Sequence, residues 1–345
     1  MAPTYERHKW SSQKPAVQAW VNDVIWKLLL GPEGEIPEVS LKDIPGDAAD
    51  VCREVILHNR LEGQVELVYG DKLLPVLGQS FYEVLERIKV RSDLYSQLVH
   101  WLLGPNLGNQ SLLLDDYAMR RYYSSLSDTI PNIRFIHTLT LWTPTLATRE
   151  SVIALLQDGG FKSEAKEDDS GTYDFSKPTP GLPHRIKLLG TIWAATKNWS
   201  LDVERDIFNR AVQYSTTVPL NPEVTDLFLL QCRRFSIDST AGSPLRLLDL
   251  VTLLTRENDN LDWDRLRHIK NAFAKPDWFW AAIMGVAAFE AKTGRSFEMP
   301  AWVRDYLKDA DSFWPEFIAT RMNWACPDAR LIDFPRAYVK AAKGT

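Results

Sequence analysis

The sequence predicts an α+β protein, with a small mixed-sheet core between mainly helical N- and C-terminal regions. Three observations carry this. Apolar residues recur at helical spacing over Pro15 to Leu30, and again over most of the chain from Asp202 onward. Between these regions, Arg134-Phe135-Ile136-His137-Thr138-Leu139-Thr140-Leu141-Trp142-Thr143-Pro144 reads as a core β-strand, because alternate residues share a face. The texture of the chain changes at Gly104-Pro105-Asn106, which marks a boundary. The division that follows is a helical region over 1–105, an α/β core over 106–200 and a helical region over 201–345.

The elements follow in order. Val17, Trp20, Val21, Val24, Ile25, Leu28 and Leu29 form a helix stripe that Gly31-Pro32 ends. A polar loop runs to Gly46, and Asp47 is positioned to cap a helix over Ala48 to Asn59. Ser80 to Leu103 reads as one or two helices. In the core, Ser111 to Leu114 fits a buried strand or a helix start, Ala118 to Leu126 a helix, and Ile133 to Trp142 a strand. Thr148 to Gln157 is helical and closed by Asp158-Gly159-Gly160. Lys162 to Pro183 reads as a hairpin or mobile loop, and Ile186 to Leu189 as a second strand. Leu227 to Phe235, Leu245 to Thr255, Trp263 to Phe273 and Trp278 to Lys292 are helical. No internal repeat or low-complexity segment is present.

Composition excludes several classes. At 345 residues the chain can bury a full core, and 45% hydrophobic with 25% charged residues is ordinary for a globular protein. A net charge of −5 and a pI near 5.8 argue against nucleic-acid binding through bulk electrostatics. No apolar run is long enough for a membrane span, and Met1 to Lys14 has no signal-peptide hydrophobic region. Cys52, Cys232 and Cys326 lie far apart, which argues against a disulfide framework or zinc site and makes a reducing cytoplasm the expected compartment. Tryptophan is abundant, with 13 residues, several paired as Trp278 and Trp280, Trp193 and Trp199, and Trp302 and Trp314. Core packing is the favoured explanation, and an aromatic surface for a ligand or partner the other.

Taken in order, these pieces resemble the large uncharacterised family of bacterial nucleotidyltransferases, a branch of the polymerase-beta-like superfamily. The resemblance covers about residues 47 to 300. Ala48 to Val68 is similar to the family's early helix, with His58 near its end. Ser111-Leu112-Leu113-Leu114-Asp115-Asp116 sits where the family has an apolar strand ending in Lys-Gly. Arg134 and Thr138-Leu139-Thr140-Leu141-Trp142 match the family's Arg followed by Asp-Ile-Asp-Leu-Leu, and Val152 to Phe161 the helix beyond it. His184-Arg185-Ile186-Lys187-Leu188-Leu189 occupies the strand that carries the third acid. Val218 to Glu223, Leu245 to Leu250 and Leu261 to Leu266 resemble the later stretches.

Every departure from the family falls on its chemistry. The resemblance implies a two-metal site, which needs carboxylates to neutralise Mg²⁺ and help activate the attacking hydroxyl. Here Thr138 and Thr140 replace two acids, Lys187 replaces the third, and Asp115-Asp116 replaces Lys-Gly. Threonine is a weak neutral ligand, and a lysine beside it repels Mg²⁺. The expected function is therefore that of a catalytically degenerate, nucleotidyltransferase-like binding or accessory protein, in a setting such as biosynthesis or peptide modification. Its expected partner is a protein or peptide, or a small molecule in the former nucleotide cleft, with no cofactor. The alternative is an active transferase using Mg²⁺ and ATP, with a site rebuilt from Asp115, Asp116 and Asp174.

Arg120, Arg134, His137 and His184 complete the set of candidate cleft residues with Asp115 and Asp116. His137 and His184 meet if their strands are neighbours, giving an acid/base or metal pair; hydrogen-bonded histidines at strand edges are the simpler account. Arg120-Arg121 with Lys187 would make a small anion site; surface arginines on a helix are the commoner explanation. The aspartate-rich motif of class I terpene cyclases is not completed, since Tyr117, Ala118, Met119 and Arg120 add no further acid. No Walker loop, nucleophile elbow, zincin motif or dinucleotide fingerprint occurs.

Overall fold

A computed structural model of the chain describes residues 14–31, 41–123, 134–163, 171–178, 184–192, 201–214, 218–237, 244–273 and 276–308. It is an α+β protein: a small mixed sheet flanked by helices. The chain divides into two compact units, each assembled from separate stretches. One comprises Met1–Tyr82, Phe228–Trp263 and Lys275–Thr345, and the other Glu83–Leu227 and Asp264–Ala274. The consecutive division expected at 105 and 200 differs from this. Within the second unit, Leu113 N–H donates to the Leu220 carbonyl (2.8 Å) and Leu220 N–H to that of Ser111 (3.0 Å), which ties the segment after 200 to the sheet.

In the first unit, α1 (Pro15–Leu30) starts on a proline, whose missing N–H costs nothing in a first turn, and ends at Gly31 with φ 77°. Its expected stripe is buried, together with Trp26 and Leu30. Helix α2 (Ala48–Asn59) has Asp47 at its N-cap, but the carboxylate makes no capping bond; the Asp47 carbonyl accepts from Val51 N–H (3.1 Å) instead. Arg60, at φ 59°, closes α2, so the stretch to Val68 is two helices, the second being α3 (Glu62–Tyr69). Helix α4 (Leu74–Leu77) follows.

Helix α5 (Gln79–Leu98) continues through a π-helical turn over Val99–Leu103 into α6 (Gly104–Leu107). The expected break at Gly104-Pro105-Asn106 is therefore helical, because Pro105 falls in a first turn where proline is tolerated. The break comes at Gly108.

The sheet lies in the second unit. Its strands are β1 (Leu112–Leu114), β2 (Leu139–Trp142), β3 (Lys162–Ser163), β4 (Tyr173–Lys177) and β5 (His184–Leu189), in the order β1-β2-β5-β4-β3. Among the described strands, only β2 and β5 run parallel. The expected hairpin within Lys162 to Pro183 is the β3–β4 pair, and the expected strand at Ile186 starts two residues earlier. Helix α7 (Asp115–Tyr123) follows β1, starting on the two aspartates, where negative charge suits a helix N-terminus. Residues 124–126 of that expected helix lie outside the described residues. Helix α8 (Leu146–Asp158) follows β2, its first turn capped by Thr145, whose hydroxyl accepts from Thr148 N–H at 3.1 Å.

One face of the sheet builds the core of this unit. Leu113, Leu139, Leu141, Phe175, Ile186 and Leu188 pack with Tyr95, Val99, Leu103 and Leu107 and with Val152, Leu156 and Phe161. The opposite face carries Trp142, which meets Phe208 of α9 (Leu201–Asn209) edge-on at 5.7 Å. Asp226 opens α10 (Val224–Ile237) and is fully buried. It accepts from Arg265 of α12 (Trp263–Ala272) at 2.9 and 2.7 Å, while Arg265 also reaches Asp206 of α9 at 2.5 Å. This cluster fastens the short 264–274 segment into the unit.

Among the described residues, the first unit also holds α11 (Pro244–Glu257), α13 (Asp277–Thr293) and α14 (Ala301–Leu307). Trp278 is buried, and Trp280 of α13 stacks on Tyr306 of α14 at 3.6 Å and 9°. Trp302 packs against Phe279, Trp280 and Trp263. These tryptophans pack on other rings, whereas Trp193, Trp199 and Trp314 lie outside the described residues.

Gly285 on α13 faces Phe235 of α10, and a Cβ there would sit 2.6 Å from a ring carbon of that buried side chain. Gly285→Ala is expected to destabilise by about 1–3 kcal/mol through overpacking, exceeding the ~1 kcal/mol that alanine gains in helix propensity. Chemical denaturation checks this: a more stable variant would mean that the ring yields freely.

Candidate functional site

The sheet face opposite the core is where the sequence places its degenerate acids. Thr140 on β2 pairs in register with Leu114 on β1 and Lys187 on β5, and Lys187 pairs with Asp174 on β4. Paired residues project to the same side of a sheet, so these four form one row. Thr140 is only 3% exposed, Lys187 is half-buried and Asp174 exposed. Thr138 falls outside the strand, in a bend, and is half-buried. The ten-residue strand expected from Ile133 is thus cut to four residues, with Ile133 itself outside the described residues.

Side-chain partners explain the shortening. Arg134 and Asp116 are both about 1% exposed and form an ion pair, guanidinium Nη2 to carboxylate Oδ1, at 2.9 Å. The other Asp116 oxygen accepts from the His137 N–H at 3.2 Å, and Ile136 N–H donates to Ser92 Oγ at 3.0 Å. Backbone donors that would extend the ladder are taken by side chains instead. Asp116 is therefore a structural clasp between α7 and the segment leading into β2. Asp115 beside it sits at φ 53°, in the left-handed region that aspartate tolerates better than most residues.

The aspartates of the alternative metal site are not brought together. Asp115 and Asp116 follow β1 and Asp174 lies on β4, with β2 and β5 between them. Neighbouring strands are about 4.8 Å apart, so this gap is on the order of 14 Å. Among the described residues, no group of three or more His, Cys, Asp or Glu side chains is placed to hold a metal ion.

The parallel register begins at Leu139↔Ile186, so His137 lies in a bend before β2 while His184 is the first residue of β5, and the two are not paired across the strands. Arg91 of α5 contacts His137: its Nη2 is 3.2 Å from His137 Nδ1. A guanidinium only donates, so this contact needs the Nδ1 lone pair and leaves the proton of the neutral ring on Nε2. Tyr95, one turn further along α5, donates its phenol to the Arg185 carbonyl (2.7 Å), accepts from the Arg185 N–H, and packs its ring 5.3 Å from that of His184. Burial pushes the Tyr95 phenol up from its usual range. Burial first, and then Arg91 and Lys177, hold His184 below the usual histidine range.

Arg120 and Arg121 of α7 point into a separate cavity of about 540 Å³, lined also by Ser96, His100, Tyr117 and Tyr214. Lys187 is not part of it, so the anion site expected from all three cations is not formed. Arg120 reaches Ser96 Oγ and lies 3.6 Å from the exposed Asp93 carboxylate. Burial pulls Arg120 below the usual arginine range, with Asp93 opposing the shift. Arg121 lies over the Tyr214 ring at 3.5 Å. Arg91, Ser92, Tyr95 and Ser96 are not among the residues expected from the sequence, where Ser80 to Leu103 reads only as one or two helices. Their signal was two polar pairs spaced i, i+4, which share one helix face.

Comparison with known proteins adds no relative: no protein-family model, curated protein or solved structure matches the chain.

Two predictions follow from these contacts. Asp116→Ala removes the buried carboxylate that pairs with Arg134 and is expected to cost about 3–5 kcal/mol in urea denaturation, whereas Asp116→Leu with Arg134→Met should recover most of the loss. A loss below about 1 kcal/mol in the single variant would remove the clasp from the account. The second concerns pH. Folded His184 releases its proton more readily than the unfolded chain does, so below about pH 6.5 the unfolded chain binds more protons and stability falls with pH. His58, held low by burial and by Arg60, acts in the same direction. Melting temperatures between pH 7 and pH 5 should therefore fall less steeply for His184→Gln than for the parent; equal slopes would refute this.

Proposed function

We propose that this chain is a nucleotidyltransferase-like protein that no longer transfers nucleotides and acts as a binding or accessory protein. The ligand under this reading is a partner protein or peptide, or a small molecule held beside the sheet. One observation carries it. The positions that the resemblance gives to a metal-binding acid on β2 and to the third acid on β5 are Thr140 and Lys187, and they are direct neighbours in the parallel register. A divalent ion placed against that pair would meet a buried hydroxyl and an ammonium, with no carboxylate from either residue to offset its charge. Asp116 is already committed to Arg134 and to the His137 N–H.

Calorimetric titration with Mg²⁺ and a panel of nucleoside triphosphates tests this directly. No Mg²⁺-dependent nucleotide binding is expected, and Thr140→Val should change neither that result nor the melting temperature substantially. Saturable Mg²⁺-dependent ATP binding that Asp115→Ala abolishes would overturn the reading in favour of a working transferase.

A further inference from the structure

We propose that the cavity beside α7 is a binding site for a small planar aromatic anion, its charged group held by Arg120 and its ring laid against Tyr117 and Tyr214. This inference stands apart from the account of the Thr140–Lys187 row, since neither residue lines the cavity. The volume, about 540 Å³, falls within the range in which proteins hold small organic ligands.

The lining selects the chemistry. Two guanidiniums border the cavity and, among the described residues, no carboxylate does, which favours an anion and repels a cation. The Arg120 side chain is only 16% exposed, and the exposed Asp93 carboxylate is 3.6 Å away. A negative group inside the cavity would offset the desolvation that Arg120 bears, and a planar guanidinium matches a carboxylate or phosphate well. The hydroxyl of Ser96, already against Arg120, and the Tyr117 phenol supply further polar contacts at the wall.

The ring preference comes from the tyrosines. Arg121 lies over Tyr214 at 3.5 Å, which fixes that ring, while Tyr214 remains 46% exposed. A phenol ring held flat by a cation and open to solvent is a stacking platform. An aromatic anion uses the platform and the guanidinium together, whereas a bare anion uses only the latter.

The test uses the full chain with phenyl phosphate and benzoate as aromatic probes, and inorganic phosphate and cyclohexanecarboxylate as non-aromatic controls. Binding is followed by ligand-observed NMR and calorimetry. At least one aromatic probe is expected to bind saturably and about 3–10-fold more tightly than the control of like charge. Which of the two binds better separates a phosphate ligand from a carboxylate one. Arg120→Gln should weaken binding by about 10-fold or more. Because Arg120 also has structural partners, Tyr214→Ala is the second variant: its half-exposed ring can be removed without unfolding, and affinity should fall about 3–10-fold at unchanged melting temperature. No saturable binding of either aromatic probe at millimolar concentration would overturn the proposal. So would affinities that both variants leave unchanged.

Discussion

The buried ion pair between Arg134 and Asp116 is the constraint around which the sheet-bearing unit is organised. Two charges removed from water are tolerable only when each is the other's partner and the spare lone pairs are used. Asp116 meets that requirement by taking both the guanidinium and the His137 N–H. The pair thereby joins the helix that follows β1 to the segment that precedes β2, and the antiparallel pairing of these strands follows from their being fastened at one end. The parallel β2–β5 register then sets Thr140 beside Lys187. The clasp thus governs which side chains meet on the sheet.

Much of this was legible in the sequence, and the failures have physical causes. Helix α1 and the helices from Leu227 onward were readable because a buried stripe leaves a 3.6-residue signature. The edge of β2 was not, because alternation marks an extended chain but says nothing of what its backbone donors bond to. Ile136 and His137 give theirs to Ser92 and Asp116, which lie 44 and 21 residues away in sequence. For the same reason Asp116 read as a cleft carboxylate: a buried aspartate and a catalytic one look alike until the partner is known. Gly104-Pro105 misled in another way, since the pair that breaks a helix interior is equally suited to a first turn.

Two of the unit's polar regions hold the candidate site residues. The Thr140–Lys187 row lies on the parallel strands, with Arg91 on His137 just before β2, while the arginines of α7 open into a cavity lined by Tyr117 and Tyr214. Both rely on α5, which supplies Arg91 and Tyr95 to one and Ser96 to the other. A single helix with polar residues at adjacent i, i+4 positions can serve two neighbouring regions without bending.

The π-helical turn at Val99–Leu103 gives that helix one more property. Tyr95, Val99, Leu103 and Leu107 all face the core, each four residues from the next. In an α-helix a four-residue step overshoots a full turn by about 40°, so a row of four such positions winds steadily off its face. The wider π turn, placed in the middle of the row, takes back part of that winding. It works as a vernier, keeping two stretches of helix in phase with one hydrophobic surface. The number of residues between Tyr95 and Leu107 is therefore as much a part of the core as their identity.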